Sequence, residues 1–191
     1  MRQNTWIYIA LAALAFFFFG EQLRAMILAR MPDTLKSAGE TPSTTGRKSY
    51  LGQKGMPASF RNNNPGNLRV TGSPWKGALT IHPENTDKRF VVFEDWIYGT
   101  RAMIKNLHGY FTKHGIKSIE GIINRWAPSS DGNDVGNYVA AIVNATGFDP
   151  SEEMTWNREN AMSIVRAMAD VESGKKDSVT VNDFNTAWAE L

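Results

Sequence analysis

The chain has 191 residues, 42% hydrophobic and 21% charged, a balance that suits a globular domain with its own core and excludes wholesale disorder. Twenty-one Lys and Arg against 19 Asp and Glu leave a formal charge of +2, too small a field for a protein that neutralises many phosphates, so no nucleic-acid partner is expected. With no cysteine and only 3 histidines, disulfide frameworks, thiolate zinc sites and cysteine nucleophiles are excluded, and neither a metal nor a cofactor is expected.

Residues 6–19, WIYIALAALAFFFF, are apolar without interruption. At about 1.5 Å of rise per residue this run alone falls short of a hydrocarbon core of roughly 30 Å. The segment after it, EQLRAMILARM, places Leu23, Met26, Ile27 and Met31 on one face. One anchor helix is therefore expected over residues 1–32, meeting lipid through residues 6–31, with Arg24 and Arg30 reaching the interface and Pro32 ending it. A cleaved signal peptide is the competing reading. No Ala-x-Ala site follows the Phe run, which favours a retained single-pass anchor. Arg24 and Arg30 on the C-terminal side favour that side remaining cytoplasmic.

Residues 33–58 are rich in Ser, Thr, Gly and Pro without apolar periodicity and read as a flexible linker. Residues 59–191 hold 5 of the 6 tryptophans and have the size of one domain. Its first third is broken by prolines and glycines, with short extended candidates at residues 67–70, 78–82 and 89–93, a loop-and-strand lobe. Amphipathic helices are then predicted over residues 96–110, 119–126 (opened by a Ser118 cap and closed before Pro128), 137–145 and 156–171. The fold class expected is mainly α, a helical domain with a small β-rich lobe.

Two polar constellations stand out. RNNNPGNLR, residues 61–69, must be a tight turn, because Pro65 fixes its own dihedral, disfavours a helical Asn64 and precedes the permissive Gly66. Its carboxamides either satisfy the turn's own backbone or meet sugar hydroxyls, N-acetyl groups or peptide amides. In SIVRAMADVESG, residues 163–174, Ile164, Val165, Met168 and Val171 form a buried stripe that Gly174 terminates, which puts Glu172 in the last turn. A carboxylate meets the negative end of the helix dipole there, so Glu172 is either a solvated surface acid near Lys175 and Lys176 or a placed functional group. Asp95 reads as a helix N-cap with Glu94 beside it. Asp131 and Asp134 lack the spacing of an EF-hand and read as a turn into the next helix. His82, His108 and His114 show no partner pattern, and no Walker, dinucleotide or nucleophile-elbow motif occurs.

RNNNPGNLR, then SPWKG, RFVVFEDWIYGTRAMIKNL, IEGIINRWAP and NYVAAIV in order, resemble a family of small phage and prophage proteins of lysozyme-like, lytic-transglycosylase type. The resemblance spans about residues 60–174, with a looser likeness to bacterial glucosaminidases. Their catalytic Glu helix precedes the turn; here only linker and anchor lie upstream, and the Glu-Ser pair of AMADVESG is similar to the transglycosylase signature. The resemblance therefore implies a circularly permuted lysozyme-like domain with Glu172 as the catalytic residue, Glu94 as the alternative, and Asn64, Asn67, Trp75, Trp126 and Tyr138 as substrate-binding residues. It implies cleavage of the MurNAc–GlcNAc bond of peptidoglycan and further virion proteins as partners. The domain would face the cell wall from a phage virion membrane or the host inner membrane, against the orientation that Arg24 and Arg30 favour. A peptidoglycan-binding or structural virion membrane protein, or a peptide cross-link endopeptidase, are the alternatives.

Overall fold

The computed structural model describes residues 41–42, 47–79 and 88–191. In chain order the elements are β1 (Thr41–Pro42), β2 (Lys48–Ser49), α1 (Ala58–Arg61), β3 (Ala78–Leu79), β4 (Val92–Phe93), α2 (Trp96–Lys113), α3 (Ile119–Trp126), α4 (Val135–Thr146), α5 (Arg158–Ser173) and α6 (Val181–Ala189). The domain is mainly helical with a small sheet, as expected. β3 and β4 pair antiparallel, Ala78 opposite Phe93, and an isolated bridge joins Arg69 to Phe90. β1 and β2 form a second short antiparallel pair.

The long helix α2 organises the rest because it is apolar on most of its circumference. Trp96, Met103, Ile104 and Leu107 are fully buried, and the helix packs against α5, α6, β4 and β2. Asp95 starts it, accepting the Tyr98 amide at 2.9 Å. Ser118 caps α3 in the same way through the Gly121 amide at 3.2 Å, and Asp134 caps α4 through Asn137 at 3.0 Å. Ile119, Ile122 and Ile123 of α3, Ile142 of α4, and Ile164, Val165 and Met168 of α5 complete the main core. Complete burial of each of these side chains is worth about 1.5–3 kcal/mol, which fixes the helices against one another.

Helix ends shift by up to three residues from the sequence reading, and three differences bear on the fold. Residues 47–58, expected to be linker, are folded into the compact unit Thr41–Leu191. Tyr50 is buried there, 4.8 Å from Phe60 and 5.1 Å from Trp96 edge to face, and Phe60 stacks on Trp96 at 4.8 Å. A single aromatic in a polar stretch leaves no periodicity from which burial can be read. Helix α5 begins two residues later than expected because Asn157 is its cap, accepting the Asn160 amide at 2.8 Å. Helix α6 was not anticipated, although Thr180 and Asp183 form a capping box at its start. The membrane helix expected over residues 1–32 lies outside the described residues. Among the described residues no helix is long and apolar enough to cross a membrane.

Candidate active site

The Asn-rich turn divides its carboxamides between scaffold and site. Asn63, left-handed at φ 49°, is completely buried. Its Nδ2 donates to Ser49 Oγ at 2.8 Å and to the Phe93 and Glu94 carbonyls at 3.1 and 3.2 Å, while its Oδ1 accepts the Tyr50 amide at 2.8 Å. Asn64 is equally buried. Its Nδ2 donates to the Leu68 and Val91 carbonyls at 3.0 and 2.9 Å, and its Oδ1 accepts the Leu68 amide at 2.9 Å. The expectation that Asn64 contacts substrate is therefore corrected: its amide is consumed in closing the turn onto the lobe, out of reach of a ligand. The turn lies hard against α2, since a Cβ on Gly99 would collide with the Asn63 carbonyl.

Asn67 is different. Also left-handed, at φ 45°, it directs Nδ2 away from the lobe to Glu172, donating to Oε2 at 3.0 Å and to the Glu172 carbonyl at 3.1 Å. The Glu172 Oε1 atom accepts the Trp126 indole N–H at 2.9 Å and the Tyr138 hydroxyl at 2.8 Å. One carboxyl thus gathers donors from the Asn turn, the last residue of α3 and the first turn of α4. It sits in the final turn of α5, which Gly174 ends in the left-handed conformation at φ 64°. The loop beyond is held by Asp170, whose Oδ1 accepts the Ser178 amide at 2.9 Å and whose Oδ2 accepts the Asp177 amide at 3.0 Å.

Two features keep this cluster in register. Gly66 lets the indole of Trp126 approach, because a Cβ there would come within 2.8 Å of Cζ2 and 3.1 Å of Met103 Sδ. Burial, followed by the adjoining Glu172 carboxylate, raises the Tyr138 hydroxyl well above its ordinary value, so it remains a proton donor to Oε1. The Asn67 Oδ1 atom is buried without a hydrogen-bond partner among the described residues. Lys175, one of the lysines placed near Glu172 by sequence, lies instead over the Phe60 ring at 5.2 Å, and among the described residues no cation pairs with Glu172.

Glu172 lies in a cleft of about 570 Å³ between the β-lobe and the helices. Asn67, Trp75 and Trp126 line it as well, so the sequence candidates Asn67, Trp75, Trp126 and Glu172 share one cavity, with Tyr138 bonded from behind. Glu94, the alternative catalytic candidate, is not among the residues that line it: it stands at the junction of β4 and α2, where its amide donates to the Gly77 carbonyl at 2.8 Å. Among the described residues the other carboxylate in the cleft is Asp131, which pairs with Arg69 at 3.1 Å. Sequence reasoning missed the cationic wall formed by Lys105, Lys113 and Arg125, and it left His114, which also lines the cleft, without a place. The spacing of Lys105 and Lys113, two helical turns apart, was the available signal. Among the described residues no group of three His, Asp or Glu side chains is placed to hold a metal ion.

Fold and site together define a mainly helical domain whose cleft is centred on one carboxyl fixed by three neutral donors. The chain is 38% identical over 118 residues to Protein P5 of Pseudoalteromonas phage PM2, an alignment that covers 60% of this chain and 70% of that protein, and it belongs to the same family of phage proteins. No family model matches the chain.

Proposed function

We propose that this chain is a phage-type peptidoglycan-degrading enzyme that cleaves the MurNAc–GlcNAc glycosidic bond, with Glu172 as its acid and base. The observation that carries the reading is the carboxyl of Glu172, held in a cleft by Asn67, Trp126 and Tyr138 from three separate elements. A carboxyl has about four lone-pair sites. Two donors fill Oε1, so whenever the carboxyl is protonated that atom is its carbonyl oxygen and the proton is carried by Oε2, which among the described residues accepts only from Asn67. In the first step Oε2–H protonates the glycosidic oxygen as the bond from C1 breaks. In the second the carboxylate takes the proton of the MurNAc 6-hydroxyl as that oxygen bonds to C1, giving a 1,6-anhydro product and restoring the acid. One carboxyl suffices for this intramolecular route, whereas two-carboxylate hydrolysis needs a partner about 5–9.5 Å away. Asp131, engaged by Arg69, is a poor partner.

The permuted lysozyme-like architecture belongs to the same proposal, and the direct bond between the Asn67 turn and the C-terminal Glu172 helix supports it. Residues 1–32 then anchor the cutting domain at a virion or host inner membrane facing the wall, beside other virion proteins. The test is incubation of the full chain and its Glu172→Gln variant with purified Gram-negative peptidoglycan, followed by mass spectrometry of the soluble products. Anhydro-muropeptides from the parent alone are the expected result. Reducing sugars would reassign it as a muramidase, cleaved peptides as an endopeptidase.

One observation favours a second reading, a wall-binding or structural virion protein. The Glu172 carboxyl ties the Asn turn, α3, α4 and α5 together, which is also what an architectural clamp does. No product from a folded parent protein, with stability lost in Glu172→Gln, is the result that selects it.

A further inference from the structure

The cleft is cationic in a way the glycosidic chemistry does not use. Lys105 and Lys113 stand on its wall from one face of α2, Arg125 closes it from α3 above the Tyr110 ring at 5.4 Å, and among the described residues neither lysine pairs with an acid. Of the two acids that line it among the described residues, Asp131 pairs with Arg69 and Glu172 is the reacting group of the proposed function. Midway between the lysines, on the same side of the helix, lies Gly109. A glycine inside a helix costs about 1 kcal/mol relative to alanine, and in the same helix Gly99 is explained by the Asn63 carbonyl that a Cβ would strike. Gly109 has no such neighbour: among the described residues a Cβ there meets nothing within 4 Å. Its missing side chain leaves bare helix backbone exposed to the cleft between two ammonium groups.

We propose that the Lys105–Gly109–Lys113 face is a docking track for the stem peptide of uncleaved peptidoglycan, the lysines pairing with its carboxylates and the peptide chain lying against the backbone at Gly109. Eight residues of helix set the two lysines about 12 Å apart. An extended peptide of three to four residues covers about the same distance at 3.3–3.6 Å per residue. A nucleic acid fits worse, since its charge, one per about 1.7 Å of duplex, calls for denser cations than a chain of net charge +2 supplies. The substrate is on this reading a peptide-bearing glycan rather than bare glycan. The inference rests on the peptidoglycan assignment above and narrows it.

The test compares binding of the full chain, in mild detergent on ice, to sacculi carrying their stems and to sacculi stripped of stems by an amidase. Parent protein is expected to bind the intact sacculi about tenfold more tightly, a gap that a Lys105→Ser/Lys113→Ser double variant closes and that shrinks with salt. Both lysines are exposed, so the double variant keeps its fold, and a melt checks this. Gly109→Ala is expected to raise the melting temperature while weakening binding to intact sacculi, two opposite signs that a purely structural glycine does not give. Equal binding to both sacculi overturns the stem-peptide track while leaving glycan recognition standing. Equal competition by DNA overturns it in favour of a general polyanion cleft. Binding to neither overturns the peptidoglycan assignment itself, and product release from bare glycan, read separately, tells the two failures apart.

Discussion

Replacing Glu172 by Gln keeps the shape of the side chain and changes its hydrogen-bond count. Trp126 and Tyr138 both donate, so the new carboxamide must present its oxygen where Oε1 stands. Its NH2 then takes the place of Oε2 and faces the NH2 of Asn67, donor against donor. Asn67 can escape only by turning over, which gives up its bond to the Glu172 carbonyl at 3.1 Å. One charge-assisted bond is lost and two are weakened, for a cost of about 1.5–3 kcal/mol. A domain of this size loses about 2–4 °C per kcal/mol, so thermal unfolding followed by circular dichroism is expected to fall by about 3–12 °C. The variant remains folded at 25 °C, and any loss of product release there measures chemistry. Removing a general acid or base costs about 10²–10⁴ in rate. Undiminished release of anhydro-muropeptides by the variant refutes the catalytic assignment, and an unchanged or higher melting temperature refutes the donor count on which the geometry of the site was built.

Three further outcomes separate the roles of the neighbours. Because the Tyr138 hydroxyl is raised well above its ordinary value of 10.0, the folded state holds that proton more tightly than the unfolded chain; its contribution is complete below that pH and is lost as pH rises above it. Parent protein is therefore expected to lose up to about 1.4 kcal/mol of stability per pH unit that Tyr138→Phe does not lose, read from denaturant unfolding at pH 10 and 11. Asn64→Ala strands two buried backbone groups, the Leu68 amide and the Val91 carbonyl, and is expected to cost about 3 kcal/mol or more, whereas Asn67→Gly, which keeps the left-handed turn, costs about 1–2 kcal/mol and lowers product release at least about tenfold. The reverse ranking would undo the division of the turn into scaffold and site. Gly66→Ala forces the Trp126 indole from Glu172 and is expected to destabilise by about 1–3 kcal/mol and to shift the indole N–H resonance of Trp126, which an unshifted spectrum would contradict.

Much of the helical frame was legible because it is local. The caps at Asp95 and Ser118, the periodic stripes of α2, α3 and α5, and Gly174 beyond Glu172 each depend on residues within a turn or two of one another. The sequence likewise required a turn at Asn64-Pro65-Gly66 and put an acid at the end of α5. It could not say which asparagine closes the turn and which reaches the site. Asn64 finds its partners at Leu68 and Val91, Asn67 at Glu172, 105 residues away, and both are the same carboxamide until the chain folds. Burial of Tyr50 in the expected linker and the docking of α6 on α2 arise in the same way. The cationic wall of the cleft was hidden for a related reason: lysines at helical spacing read as a solvated face, and only the approach of the β-lobe and α3 turns that face into the side of a cavity. Local propensity and periodicity thus determined which segments are helical and where they stop. The identity of the three donors on Glu172, and the space in front of it, were decided by contacts between segments far apart in the chain, which no spacing encodes.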